Sequence, residues 1–224
     1  SFKLSFDFGY LPDVTYYLDN IKIVEVAPAG APRLKSVTII EKSDEEKAQI
    51  IGEAMETWIS AMMTRYKDDV KAWDVVNEPM LDNGTLRTGN VAEPANDEFY
   101  WVKYLGKDFA VDAFKLARQY GNPGDKLFIN DYNLEHSLAK CDGLIEYVEY
   151  IESKGATIDG IGTQMHITVS TNRDNIVQMF QKLAATGKLI KVSELDVQVG
   201  TTTPSAEQLM AQAEMYKFVV DKYK

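Results

Sequence analysis

Four short apolar runs, each ending in polar or acidic residues and each separated from the next by a helical stretch, constrain this chain more than any other feature. They are "AWDVVNEP" (Ala72 to Pro79), "KLFIND" (Lys126 to Asp131), "IDGIGTQMHI" (Ile158 to Ile167) and "LIKVSELDV" (Leu189 to Val197). Runs of this length, rich in Val, Ile and Phe, read as strands buried on both faces. Ser43 and Glu46 form a capping box ahead of Ile50, Ile51, Ala54, Met55, Trp58, Ile59 and Met62 at helical spacing. A second helix is expected over about residues 97–120, ending at "GNPGD", and a third over 139–154, stopped by Gly155. Asn172 caps a fourth that ends at Gly187, and Pro204, Ser205 and Gln208 start a last helix running to the C-terminus. Strands alternating with helices imply an α/β fold, a parallel sheet covered by helices.

Two architectures share that rhythm. A doubly wound open sheet usually carries a Gly-rich phosphate loop after its first strand, and neither GxGxxG nor GxxxxGK[ST] occurs here. A (β/α)8 barrel typically needs about 250 residues, so a chain with four countable strands would hold about half of one.

The N-terminal texture differs. In "FKLSFDFG", Phe2, Leu4, Phe6 and Phe8 alternate with polar residues, and "VTYYLDNIKIVEV" continues in β-branched and aromatic residues after a turn at Gly9, Pro12 and Asp13. This reads as the closing strands of a β-sandwich over residues 1–27. A linker is expected over 28–42 and the α/β segment over 43–224.

A net charge of −10 argues against a nucleic-acid backbone or an anionic membrane as partner. Cys141 is the single cysteine, which rules out an intrachain disulfide. There is no 18-residue apolar run and no signal peptide, so no membrane span is expected, and an export signal would lie upstream of Ser1. Oligomeric state is not legible.

The chemistry gathers at the strand ends: Asn77 and Glu78; Asn130, Asp131, Tyr132 and Asn133; Gln164 and His166; Glu194 and Asp196. Period-2 geometry puts Gln164 and His166 on one face of their strand, and Glu194 and Asp196 on one face of theirs. Catalytic groups of α/β barrels come from the C-terminal ends of several strands. Glu78, His166 and Glu194 could in principle hold a metal, but no HxxxH, HxH or DxD pattern supports one, and no GxSxG nucleophile elbow is present. Two strand-end glutamates fit glycoside hydrolysis better. One carboxylic acid protonates the leaving oxygen, and the other attacks the anomeric carbon or activates water. Asn77 can donate to a sugar hydroxyl, and His166, with Asp196 in reach, can orient Glu194.

"WDVVNEP", "FINDYN", "GIGTQMHI" and "VSELDV", in this order on successive strands, closely resemble glycoside hydrolase family 10, the retaining endo-β-1,4-xylanases. The resemblance covers about residues 43–224 and implies strands four to seven of a (β/α)8 TIM barrel. It implies Glu78 as general acid/base and Glu194 as nucleophile. Asn77 would then contact the sugar 2-hydroxyl, Gln164 and His166 would bond around the glutamates with Asp196 supporting His166, and Tyr132 and Asn133 would line the leaving-group side. The substrate implied is xylan or xylo-oligosaccharide, with no cofactor, and the setting secreted or cell-surface; a retaining glycosidase acting on another β-glycan such as cellulose, or a non-catalytic carbohydrate-binding protein, is the alternative. The N-terminal stretch resembles the tail of a carbohydrate-binding module inserted in some xylanase barrels, where Asp19 and Asn20 read first as a strand-end turn. Nothing matches the family's first three barrel strands or its eighth. The chain is therefore expected to be a segment that is inactive alone.

Overall fold

The computed structural model describes residues 42–88 and 99–223. The β-sandwich strands and most of the linker expected before Lys42, with Asp19 and Asn20, lie outside the described residues.

Helix α1 (Asp44–Tyr66) begins where the capping box sets it, because Ser43 Oγ accepts from the Glu46 N–H and the Glu46 carboxylate accepts from the Ser43 N–H. There follow β1 (Ala72–Asn77), α2 (Trp101–Leu105), α3 (Phe109–Tyr120), β2 (Lys126–Asp131), α4 (Leu138–Ser153), β3 (Gly160–Thr163) and β4 (His166–Thr168). The chain continues through α5 (Arg173–Ala185), β5 (Leu189–Val192), β6 (Asp196–Gln198) and α6 (Ala206–Tyr223). None of the described helices is long and apolar enough to cross a membrane.

The structure corrects the expected elements in two places. The helix expected over 97–120 is two, divided at Gly106, which adopts φ +69° and closes α2 by donating its N–H to the Val102 carbonyl. The third and fourth strands are each interrupted, at Gln164–Met165 and at Ser193–Leu195. Pairing carries across both breaks, since the N–H groups of Ser193, Glu194 and Asp196 donate to the carbonyls of Thr163, Gln164 and Met165. β4 and β6 then continue in parallel with His166 opposite Asp196.

The main sheet runs β1-β2-β3-β5, every pair parallel and every strand beside its predecessor. A doubly wound sheet reverses its order at a switch point, and this one does not. It also curls. Asp74 on β1 and Lys191 on β5 form an ion pair at 2.5 Å although two strands lie between them. On a flat sheet those strands would stand about 14 Å apart, so the contact needs a concave inner face. The fold is α/β with parallel strands, a part of a (β/α)8 barrel wall.

The convex side is core: Leu127, Ile129 and Ile161 are fully buried with Phe114, Leu144, Ile151 and Met179 of the covering helices. Each such side chain contributes about 1.5–3 kcal/mol of transfer free energy. The concave side is different. Asp74, Asn130, Lys191 and Ser193 make their contacts across it, and Gly160 and Gly162 sit opposite Phe128 and Asn130 in register. An added Cβ at Gly162 would stand 2.3 Å from Asn130 Oδ1. The glycine therefore leaves the space that the Asn130 side chain occupies.

Candidate active site

The C-terminal end of the sheet holds an unusual backbone. Glu78 (φ +54°), Asn133 (φ +59°) and Met165 (φ +64°) are the non-glycine residues with positive φ among those described, and all three lie at this end. Such conformations cost about 1–3 kcal/mol each and persist where surrounding contacts over-determine them. Those contacts are visible. The Glu78 N–H donates to the Asn130 carbonyl at 2.8 Å, and the Asn133 carbonyl accepts from His136 and Ser137 as the chain turns into α4. Gln164 N–H, just before Met165, donates to the Asp131 carbonyl at 2.9 Å.

These turns bring the strand-end side chains together. Gln164 Nε2 donates to Glu78 Oε1 at 3.0 Å and reaches Asn77 Oδ1 at 3.4 Å. Asn130 Nδ2 donates to Asn77 Oδ1 at 2.9 Å and to Glu194 Oε1 at 3.1 Å. The two glutamates are thus the ends of one hydrogen-bonded amide chain, Glu78–Gln164–Asn77–Asn130–Glu194. Ser193 Oγ fixes the far side of Asn130 by donating to its Oδ1 at 2.9 Å. Gln164 and Asn130 are buried, whereas Asn77, His166 and Glu194 are exposed and Glu78 partly so.

His166 stands between two carboxylates, with Nδ1 2.5 Å from Asp196 Oδ2 and Nε2 3.4 Å from Glu194 Oε2. The Asp196 hydrogen bond raises its pKa above the ordinary histidine value, and the charges of Asp196 and Glu194 add to this against a smaller desolvation effect. As imidazolium it donates to both acids.

On the other flank, Tyr132 lies with its ring centroid 3.4 Å from the Lys140 ammonium, and its hydroxyl accepts from Arg87 Nη2 at 2.9 Å. Lys140 is fully buried and is shared between Asp131 Oδ1 at 3.0 Å and Asp82 Oδ1 at 3.1 Å. Burial pushes the Asp131 carboxyl up from its usual value, with Lys140 opposing the shift. Asn133 Nδ2 sits 3.5 Å from Asp82 Oδ2, at the rim. All eight residues given a role from the sequence lie at this end of the sheet. Glu78, Asn77, Gln164, Glu194, His166 and Asp196 fall in two directly bonded groups that Asn130 joins, while Tyr132 and Asn133 stand to one side.

The family model of glycosyl hydrolase family 10 matches residues 35–224. The chain belongs to that family. It is 33% identical over 230 aligned positions to endo-1,4-beta-xylanase A of Thermoanaerobacterium saccharolyticum, covering 93% of this chain and 19% of that protein. It is 36% identical to exoglucanase XynX of Acetivibrio thermocellus, covering 93% and 20%. Among solved structures, the intracellular xylanase of Thermoanaerobacterium saccharolyticum JW/SL-YS485, as a mutant in complex with xylotriose, matches with TM-score 0.65 and 35% identity, covering 79% of this chain and 52% of that one. This family 10 chain therefore spans about half the length of that solved relative and a fifth of the two longer proteins.

Sequence reasoning left four members of the site unassigned: Asn130, Ser193, Arg87 and Lys140. Asn130 lies one residue before the end of β2, and strand alternation puts its amide on the concave face with Phe128. Ser193 neighbours Glu194 in "VSELD" without a period of its own. Arg87 comes from the loop after β1 and Lys140 from the first turns of α4, and no local pattern points to either.

Proposed function

We propose that this chain carries the catalytic end of a retaining endo-β-1,4-xylanase, with Glu78 as general acid/base and Glu194 as nucleophile. The observation that supports it most is the amide chain holding two carboxylates from separate strands, with unequal surroundings at its ends. Glu194 accepts from Asn130 and faces the His166 cation, donors that stabilise an anion poised to attack an anomeric carbon. Glu78 accepts from one neutral amide, Gln164, and keeps its other oxygen for a proton to be given and taken back. Asn77, exposed between them, is placed to bind the hydroxyl beside the scissile bond. Tyr132 and Asn133, on the Glu78 flank, line the leaving-group side.

Double displacement is then a balanced sequence. Glu78 gives its proton to the glycosidic oxygen as Glu194 bonds to the anomeric carbon, and water, deprotonated by Glu78, releases the sugar. Glu194→Gln in the complete enzyme is expected to abolish xylan hydrolysis while leaving xylan binding intact. Proton NMR of early product should show the β-anomer first. Initial release of the α-anomer, or substantial activity in Glu194→Gln, would overturn the assignment.

The relative named exoglucanase makes a glucan the competing substrate. Reducing-sugar release from xylan against carboxymethylcellulose decides between them. Among the described residues β1 and β5 each keep one unpaired edge. We accordingly propose that the 224-residue chain is inactive alone, and Glu78-dependent xylan hydrolysis by it would contradict that.

A further inference from the structure

Arg87 grips the end of β1 at several points. Its backbone N–H donates to the Pro79 carbonyl at 2.8 Å, and its Nε donates to the Glu78 carbonyl at 3.2 Å. Its Nη2 donates to the Met80 carbonyl at 3.4 Å and to the Tyr132 hydroxyl at 2.9 Å. The carbonyls held are those of Glu78, Pro79 and Met80, where the chain leaves the sheet through a left-handed glutamate. Proline has no N–H with which to brace that turn locally. The guanidinium supplies the bracing from outside, and its planar fork joins two backbone carbonyls to a phenol just past the end of the neighbouring strand β2. That phenol is fixed from below as well, because its ring rests on Lys140, which is buried between Asp131 and Asp82.

We propose that Arg87 is a positioning residue for proton transfer. It sets the direction in which Glu78 presents its carboxyl to the glycosidic oxygen, and it fixes Tyr132 beside that path. The proposal rests on Glu78 being the acid/base. In the step concerned the proton passes from Glu78 to the leaving oxygen, the electron pair of the breaking C–O bond stays on that oxygen, and Glu194 closes the new bond to carbon. A misdirected Glu78 slows this step only where the leaving group needs the proton. A dinitrophenolate departs without one. Lysine at position 87 would keep the charge but lose the fork.

The test compares kcat/KM on xylotetraose and on dinitrophenyl β-xylobioside in the complete enzyme. Glu78→Ala should lose xylotetraose hydrolysis while cleaving the dinitrophenyl substrate with acceleration by azide. Arg87→Met is expected to fall about 100-fold on xylotetraose, the scale of a roughly 1 Å misplacement, and no more than about threefold on the dinitrophenyl substrate. Arg87→Lys should show the same asymmetry at smaller size, and it decides the matter if the methionine variant does not fold. Equal losses on both substrates, or none, would overturn the role of Arg87. Retained xylotetraose hydrolysis in Glu78→Ala would instead remove the acid/base reading on which it rests.

Discussion

Replacing Gly143 with alanine should push the loop after β1 off helix α4. A Cβ at Gly143 would stand 2.0 Å from the Gly84 carbonyl oxygen, 2.8 Å from its carbon and 3.0 Å from its Cα. Carbon–oxygen contacts relax only near about 3.3 Å, so the loop backbone has to retreat by more than about 1 Å. It is not free to do so. Asp82 is held by Lys140 at 3.1 Å and by Ser137 Oγ on its carbonyl at 2.7 Å, and Gly84 itself is at φ +83° against Ala139. Helix propensity opposes the clash, favouring alanine at this interior α4 position by about 1 kcal/mol. Overpacking costs about 1–3 kcal/mol, and a backbone-on-backbone contact belongs in the upper part of that range. The expected net effect is a loss of about 1–2 kcal/mol. Gly52 in α1 is the matched control. Its Cβ would meet only Leu105 Cδ2 at 3.7 Å, an ordinary contact, so Gly52→Ala should gain about 0.5–1 kcal/mol. Urea denaturation followed by circular dichroism reads both, and the order expected is Gly52→Ala, parent, Gly143→Ala. A Gly143→Ala variant as stable as the parent would refute the claim that the loop is locked to α4.

Three further outcomes follow from the same contacts. Lys140→Met strands Asp131 as an unpaired buried charge and should cost about 3–5 kcal/mol at neutral pH. Its deficit against the parent should shrink as pH falls and Asp131 takes a proton, and a pH-independent deficit in urea melts would contradict this. The His166 pKa is raised in the folded state, so imidazolium stabilisation is fully present below the unfolded histidine value of about 6.5 and is lost as pH rises through the folded one. With the side chain 40% exposed the stability contribution is small, and the sensitive readout is NMR. Asp196→Asn should lower the His166 titration midpoint, and an unchanged midpoint would count against the pair. Burial pushes the Cys141 thiol up to about 12, so it should resist Ellman's reagent in the native chain and react on unfolding. Rapid labelling of native protein would show that α4 opens.

Much of the fold was legible because its signals are local. The capping residues Ser43, Asn172 and Ser205 bond as their spacing suggests, each accepting from a backbone N–H two or three residues on. β2 matches "KLFIND" residue for residue because a strand buried along nearly its whole length leaves a continuous apolar run. The break at Gly106 was hidden because the apolar spacing of 3.6 continues on both sides of it. Lys140 was illegible for a different reason. A lysine in the first turn of an amphipathic helix reads as solvent-facing, and only the buried end of β2 makes it an interior cation. Arg87 depends on the path of a loop with an antiparallel bridge between Met80 and Leu86, which no periodicity encodes.

The strained residues stand where the strand ends turn their side chains into the site. Strict alternation sets Gln164 and His166 side by side on one face. Met165 between them, at φ +64°, is turned into the core. Gln164 is buried against Glu78 and Asn77, and His166 is exposed between Glu194 and Asp196. The residues on either side of one left-handed position thus reach different carboxylates. Glycine at position 165 would accept that φ more readily but would remove the Met165 side chain, which is completely buried in the core. Methionine there holds the kink from the core side, while the Asp196 N–H bonded to its carbonyl holds it from the next strand.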